Sequence, residues 1–339
     1  MARRRKNHSG GLKAAMAVTS VVLMLALCLV SVYVFESRTG MEIEGAGQQL
    51  TSHTHSLHTA QIFMNGKWYA QRNMETLLIM GVDEYGQLRT SAGYNNDQQT
   101  DFLVLFTRDL DTGRTAAIHV NRDTMTQITM LGVTGEPAGT RYAQIALAYN
   151  YGSGDHTSSR NAADAVGHLL YGMEIDHYIT VTMDAVPIVN DWAGGVTVTV
   201  ADDFTSVDQT LVKGEMVTLR GDQALTYVRT RKELDDSSNL HRMERQRQYA
   251  SEWVKTAQGK LNDMQAVADL VMQMDGYYRT SCTAEQLYDF AKSLGMHPSI
   301  TTYEIPGEAV KGDMFMEYYV DEGALQQLVL DIFYVPVEG

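Results

Sequence analysis

Cysteine is almost missing from this chain of 339 residues: Cys28 and Cys282 are its only two. They lie far apart, and Cys28 falls inside an apolar run, so a disulfide framework is excluded and the pattern carries no information on redox compartment. A chain this long buries a core without such staples, and it suits one large domain plus an anchor. Several signatures are absent too. No G-x-x-x-x-G-K-[ST] loop, G-x-S-x-G elbow, H-E-x-x-H helix or C-x-x-C pair occurs. Nucleotide-driven, serine-hydrolase and zinc-protease chemistry therefore lack their residues. Cations are scarce: 27 Lys and Arg stand against 41 Asp and Glu, for a formal net charge of −14.

Five of those cations (Arg3, Arg4, Arg5, Lys6 and Lys13) precede "AAMAVTSVVLMLALCLVSVYVF", the uncharged stretch from Ala14 to Phe35. At 1.5 Å per residue it is long enough to cross a hydrocarbon layer of roughly 30 Å. Cations before it and Glu36 after it leave the short tail in the cytoplasm. The run is too long for a cleaved signal peptide, and no A-x-A-like site follows. The expected organisation is a cytoplasmic tail (1–13), a single-pass signal-anchor transmembrane helix (14–35), an extracytoplasmic stalk and linker (36–70) and one folded domain (71–339). With those five cations removed, 22 remain against 41 acids, so the exported part carries about −19. Such a domain outside the membrane meets no nucleic acid, and the tail is too short for a DNA-binding fold. The stalk sequence "SHTHSLH" carries His53, His55 and His58 but no carboxylate or rigid frame, and reads as solvated linker rather than a metal site.

Downstream, strands and helices alternate. Asn65-Gly66 between apolar flanks signals a type I′ hairpin. "ETLLIMGVD", "DFLVLFTRDL" and "TAAIHVNRDT" read as core strands, the last two joined at Asp111-Thr112-Gly113. "AQIALAYNYG" and "SSRNAADAVGHLLYG" read as helices, "HYITVTM" as a strand, "DAVPIVNDWAGG" as a helix stopped by Gly194, and "VTVTV" as a strand. Thr283 and Gln286 form a capping box, and a last helix starts at Glu322. The alternation predicts an α/β fold: a central mixed sheet covered by helices on both faces, a three-layer α/β/α arrangement.

Three places hold residues suited to chemistry. Between Arg229 and Arg247 the acidic chain collects five arginines and one lysine. Arg229 and Arg231, if extended, project to one face. Arg242, Arg245 and Gln246 share a helix face near its start, with Asn239 as the expected N-cap. Cations there oppose the helix dipole unless an anion is held among them, and the arginine fork suits phosphate oxygens. The bland reading is a solvated face with pairs such as Arg242 to Glu244 or Asp236. The third place is the strand ends: Asp83, Asp101, and Arg122-Asp123. Two carboxylates brought together there repel unless a hard cation such as Mg²⁺ lies between them. Taken singly, each of these aspartates reads as a turn or strand cap.

In order and spacing, "LLIMGVDEYG", "TDFLVLFTRDLDTGRTAAIHVNRDT", "AYNYG", "DHYITVTMDAVPIVNDWAGGVTVTVADDF", "LRGDQALTYVRTR" and "RMERQRQ" resemble the LytR-CpsA-Psr family of cell-wall glycopolymer transferases, from about Thr76 to the final helix. The resemblance makes 71–339 a catalytic domain. It implies a membrane-anchored, Mg²⁺-dependent phosphotransferase (Mn²⁺ substituting) outside the cell membrane. The donor is a polyprenyl-pyrophosphate-linked glycopolymer, teichoic acid or capsule polysaccharide, and the acceptor is peptidoglycan. By motif, metal-associated acids fall on Asp83 and Asp101. Phosphate-gripping arginines fall on Arg122, Arg229, Arg231 and Arg242, with Arg245 and Gln246 completing the helix motif. Asp101, Arg122, Arg229 and Arg231 then carry catalysis. Two positions depart from the family pattern: Gln99-Thr100-Asp101-Phe102 replaces Arg-Ser-Asp-Thr, with Arg89 the candidate substitute, and Asn239 stands where an acid is usual, with Asp235 or Asp236 as stand-ins. The alternatives are a non-catalytic module binding the same lipid pyrophosphate, or a pyrophosphatase acting on it.

Overall fold

Gln61–Met64 (β1) and Lys67–Gln71 (β2) make the predicted hairpin, and Asn65 and Gly66 take φ of 52° and 77°. That left-handed pair is what a type I′ turn requires. The computed structural model describes residues 61–230, 239–261, 263–283, 286, 290 and 301–337. The predicted tail, the 14–35 run, the stalk up to residue 60, Arg231, Asp235 and Asp236 lie outside them. Among the described residues no helix is long and apolar enough to cross a membrane.

Met74–Val82 (β3), Thr100–Asp109 (β4) and Thr115–Val120 (β5) follow the predicted core strands. Their near-continuous apolar runs reflect burial on both faces. Leu77, Ile79, Val104 and Phe106 enter one core, and Leu78, Met80, Leu103 and Leu105 enter the other. The third strand stops at Val120 rather than running to Thr124, because Asn121 turns the chain. Its Oδ1 accepts from the Asp123 N–H at 3.0 Å, and the Thr124 N–H reaches its carbonyl at 3.0 Å.

Met125–Leu131 (β6) and Pro137–Gln144 (β7) form a hairpin that the sequence pattern did not announce. It overrides the helix expected over 143–152. Ala143 pairs with Thr126 in the ladder, and only Ile145–Ala148 make a short 3-10 turn. His156–Leu169 (α1) is capped by Asp155, which accepts from the Thr157 N–H, so the helix starts earlier than Ser158. His177–Val181 (β8), Ala185–Ala193 (α2), Val196–Thr199 (β9), Met216–Leu219 (β10), Asp222–Arg229 (α3), Asn239–Leu261 (α4) and Met264–Met274 (α5) follow. Gly194 ends α2 in the left-handed region, as expected. Tyr278–Thr280 (β11) precedes Thr283, whose N–H and hydroxyl exchange hydrogen bonds with Gln286 in the predicted capping box. Thr301–Glu304 (β12), Gly307–Lys311 (β13), Met316–Val320 (β14), Glu322–Phe333 (α6) and Tyr334–Pro336 (β15) complete the chain.

The central sheet has six strands in the order β11-β8-β3-β4-β5-β12 and is mixed. β3 runs parallel to β8 and antiparallel to β4, and β5 runs antiparallel to β4 and parallel to β12. One face buries Trp192 of α2, Tyr227 of α3, Trp253 of α4 and Met274 of α5. The other buries Val166 of α1 and Leu325 and Phe333 of α6. The antiparallel turns bring the end of β3, the start of β4 and the end of β5 to one edge. Residues 20 to 40 apart in sequence therefore share a rim by topology alone.

Candidate active site at the sheet edge

Asp101 opens β4 at this rim, between two guanidinium groups. Its Oδ1 meets Arg122 Nη1, and its Oδ2 accepts from Arg242 Nη1 at 2.9 Å. Arg242 Nη2 also donates to the Asp101 carbonyl at 3.1 Å. Arg242 comes from the first turn of α4 and is only 3% exposed. A cation near a helix N-terminus is disfavoured by the dipole, and the Asp101 carboxylate reverses that sign. Arg242 thus pairs with a strand carboxylate, not with Glu244.

The neighbours hold these groups in place. Arg122 Nη2 donates to Gln99 Oε1 at 2.8 Å, and Arg122 Nε lies 3.6 Å from Asp123 Oδ1. Gln99, one of the two departures, thereby supports the arginine; Arg89 instead pairs with Glu84 at 2.6 Å. Asn239 is the first residue of α4 and bridges instead of capping. Its Oδ1 accepts from Arg242 Nη2 at 2.6 Å, while its amide donates to Asn121 Oδ1 at 2.6 Å. Asn121 and its turn carried no recognisable signal, because an asparagine after a strand reads as an ordinary turn residue.

Arg229 is the last residue of α3, helical rather than extended as the i, i+2 spacing predicted. Its guanidinium lies over the Tyr85 ring, 5.2 Å from the centroid, within cation–π range. Its presumed companion Arg231 lies outside the described residues. Arg245 is separated from the others. Nη1 meets Asp202 Oδ2 at 2.6 Å, Nε donates to the Tyr227 carbonyl at 3.1 Å, Nη2 to the Thr230 carbonyl, and the plane covers Phe204. Three of its five N–H donors are engaged and the side chain is 1% exposed, so Arg245 organises the end of α3.

Beside the carboxylate–guanidinium group is a cavity of about 80 Å³. Asp101, Arg229, Arg242 and Gln246 line it together with apolar side chains such as Phe102, Met183, Val186 and Tyr249. Gln246 Nε2 donates to the Val228 carbonyl at 3.3 Å, and its buried Oε1 has no hydrogen-bond partner among the described residues. The same holds for the hydroxyl of Thr182, a further lining residue that the sequence did not single out. Behind the rim, His119 packs on Phe102 with centroids 5.2 Å apart. Burial, reinforced by Arg247 and Arg242, holds this histidine well below its ordinary range.

The rim also bears on the metal question. Asp83 follows β3; its Oδ1 accepts from the Gln99 N–H at 2.7 Å, and its own N–H donates to the Gln99 carbonyl at 3.0 Å. It therefore stands at the same edge as Asp101. Among the described residues no group of three or more His, Cys, Asp or Glu is placed to hold a metal ion. Two hard carboxylates at one edge still match an ion such as Mg²⁺, which takes one or two carboxylates and completes its shell with phosphate oxygens and water.

Known proteins share this frame. The chain is 26% identical over 258 residues to the polyisoprenyl-teichoic acid–peptidoglycan teichoic acid transferase TagU of Bacillus subtilis (strain 168), covering 76% of each. The crystal structure of B. subtilis TagU superposes with a TM-score of 0.53 at 24% identity, over 76% of this chain and 94% of that one. A structure of TagT bound to LIIa-WTA gives 0.57 at 20% identity, over 76% and 89%. These structural matches establish the shared fold. A family model, that of the LytR_cpsA_psr family, matches residues 32–331. Since that match takes in the whole sheet, its helices and the rim, the chain belongs to the LytR_cpsA_psr family.

Proposed function

We propose that this chain is a membrane-anchored, extracytoplasmic phosphotransferase. It moves a phospho-glycopolymer of the teichoic acid class from a polyprenyl-pyrophosphate carrier to a peptidoglycan hydroxyl. The observation that carries the reading is one juxtaposition: Asp101 interlocked with Arg122 and Arg242, beside an apolar cavity lined by Asp101, Arg242, Arg229 and Gln246. A disubstituted pyrophosphate needs paired guanidinium forks, and its prenyl end needs an apolar slot beside them. The naming of the relatives as teichoic acid transferases supports the polymer class.

In the proposed reaction the acceptor hydroxyl oxygen attacks the phosphorus that bears the glycopolymer. A new P–O bond forms, the P–O–P bridge breaks, and polyprenyl phosphate leaves with the bridging electrons. Arg122 and Arg242 exchange Asp101 for pyrophosphate oxygens, and Arg229 neutralises charge growing on the leaving phosphate. Asp101, released from its clamp, accepts the hydroxyl proton. Asp83, with Asp101 before it takes the proton, would hold Mg²⁺, which when bound would supply further neutralisation of phosphate charge.

The test is transfer from a lipid-linked donor to peptidoglycan fragments. Asp101→Ala and Arg122→Ala are each expected to lose about 100-fold or more, the scale of removing one preorganised charge partner. Near-normal turnover in both would refute the assignment. Release of polyprenyl phosphate without acceptor labelling marks a pyrophosphatase, and tight donor binding without release marks a binding module.

A further inference from the structure

The hairpin β13–β14 ends in three consecutive apolar side chains that face water: Met314, Phe315 and Met316, 79%, 62% and 44% exposed. A soluble surface rarely tolerates such a run unless something uses it. The hairpin is tied to the rim. The Tyr318 N–H donates to the Asp123 carbonyl at 2.9 Å, and Gln144 Nε2 donates both to Asp123 Oδ1 at 3.0 Å and to the Met316 carbonyl at 2.7 Å. The bridge between Thr124 and Tyr318 is parallel. Going back from Tyr318 to Met314, the chain therefore runs in the direction that leads from Thr124 to Arg122. The apolar tip lies toward the rim.

We propose that Met314, Phe315 and Met316 dip into the outer face of a lipid bilayer and hold the rim against the membrane. The choice of a bilayer over a protein partner rests on three observations. A hairpin tip of three residues offers far less than the roughly 1,200–2,000 Å² that a stable protein interface buries, whereas a narrow wedge suits a bilayer boundary. The same chain carries the 22-residue apolar run Ala14–Phe35 ahead of the first described strand at Gln61. The hairpin bears Glu308, Asp313 and Glu317 against Lys311 alone, so the contact is apolar and does not depend on anionic headgroups. The occupant follows from the proposed function, since a lipid-linked donor reaches the site from a bilayer; the wedge itself is read from the hairpin.

The experiment places a depth probe on the full chain in vesicles of phosphatidylcholine. F315C and V133C are each labelled with a nitroxide in a C28S background; Cys282 is buried and stays unlabelled. Val133, 98% exposed at the tip of the neighbouring hairpin, is the control. Relaxation by oxygen over a water-soluble nickel chelate is expected to be at least threefold greater at 315 than at 133, and unchanged in high salt. Equal ratios at the two positions overturn the proposal. So does spin–spin broadening at 315 that grows with protein concentration, which marks a second copy as the occupant. The readout uses neither donor nor turnover, so it stands or falls apart from the transferase reading. As a second arm, the triple variant M314S/F315S/M316S is expected to cut transfer from a bilayer-embedded donor at least fivefold and to leave transfer from a short-chain, water-soluble donor within twofold. Equal loss with both donors also overturns it.

Discussion

Arg229 and Arg122 test different parts of the phosphate grip. Arg229 is exposed and rests on Tyr85, so Arg229→Ala should leave stability within about 0.5 kcal/mol, as surface changes do. Its transfer rate should nevertheless fall by tenfold or more; a urea titration beside the transfer assay separates the two effects. Arg122→Lys keeps the charge but loses the fork that reaches Asp101 and Gln99 together. It should lose activity nearly as far as Arg122→Ala, and full activity in the lysine variant would show that charge alone suffices. His119 sets a pH limit. Its proton affinity is lowered by burial and then by Arg247 and Arg242. The unfolded chain takes up this proton near the ordinary value of 6.5, and the native chain does so only well below it. Stability is therefore unaffected above that value and is lost as pH falls beneath it, by up to about 1.4 kcal/mol per pH unit. His156, also lowered chiefly by burial, acts in the same direction. Urea midpoints from pH 7.5 to 5.5 should fall more steeply for the wild type than for His119→Phe; parallel curves would mean His119 titrates normally.

At the scale of elements, α4 divides its cations between two tasks. Arg242 reaches Asp101 at the sheet edge, while Arg245 is enclosed with Asp202, Phe204 and two carbonyls at the end of α3. Three positions along a helix turn a side chain by about 60°, enough to send neighbours on one face to different partners. Spacing alone put them together, and only packing separates them. Arg245→Ala should cost about 3–5 kcal/mol, because Asp202 loses the buried cation that compensates it. A urea midpoint as high as that of Arg229→Ala would show that Asp202 finds water instead. Legibility followed burial in the same way. β3, β4 and β5 were readable because two cores demand unbroken apolar runs, and the I′ turn because only Asn-Gly suits its angles. β7 was not, since six of its eight residues, Pro137 to Tyr142, are exposed and carry no alternation. The alanine-rich stretch after it shows helical propensity, yet the pairing of Ala143 with Thr126 outweighs it. The convergence of Asp83, Asp101 and Arg122 was readable as strand ends, whereas the Asn121–Asn239 bridge needed the folded register.

For the whole molecule, the proposed membrane location asks what would keep an exported part of about −19 close to a bilayer. Among the described residues, the buried side chains of both cores run from Leu77 to Phe333. Electrostatics gives no help, since an acidic domain is repelled by an anionic leaflet. Apolar contact must supply the attachment, and the chain offers two sources of unequal size: 22 residues at 14–35 and three at 314–316. The first is long enough for lasting insertion. The second gives only a shallow, reversible hold, of the kind a single short anchor provides. A chain beginning at residue 36 should therefore melt within about 2 °C of the full chain, on the scale by which about 1 kcal/mol shifts a domain of this size by some 2–4 °C. It should also leave the membrane fraction on repeated dilution and washing, since only the shallow hold remains. Transfer from a bilayer-embedded donor should drop by tenfold or more, while a short-chain soluble donor is used as before. Persistence of the truncated chain in washed membranes would move the attachment from the N-terminal run to the domain, with the hairpin tip as its first candidate.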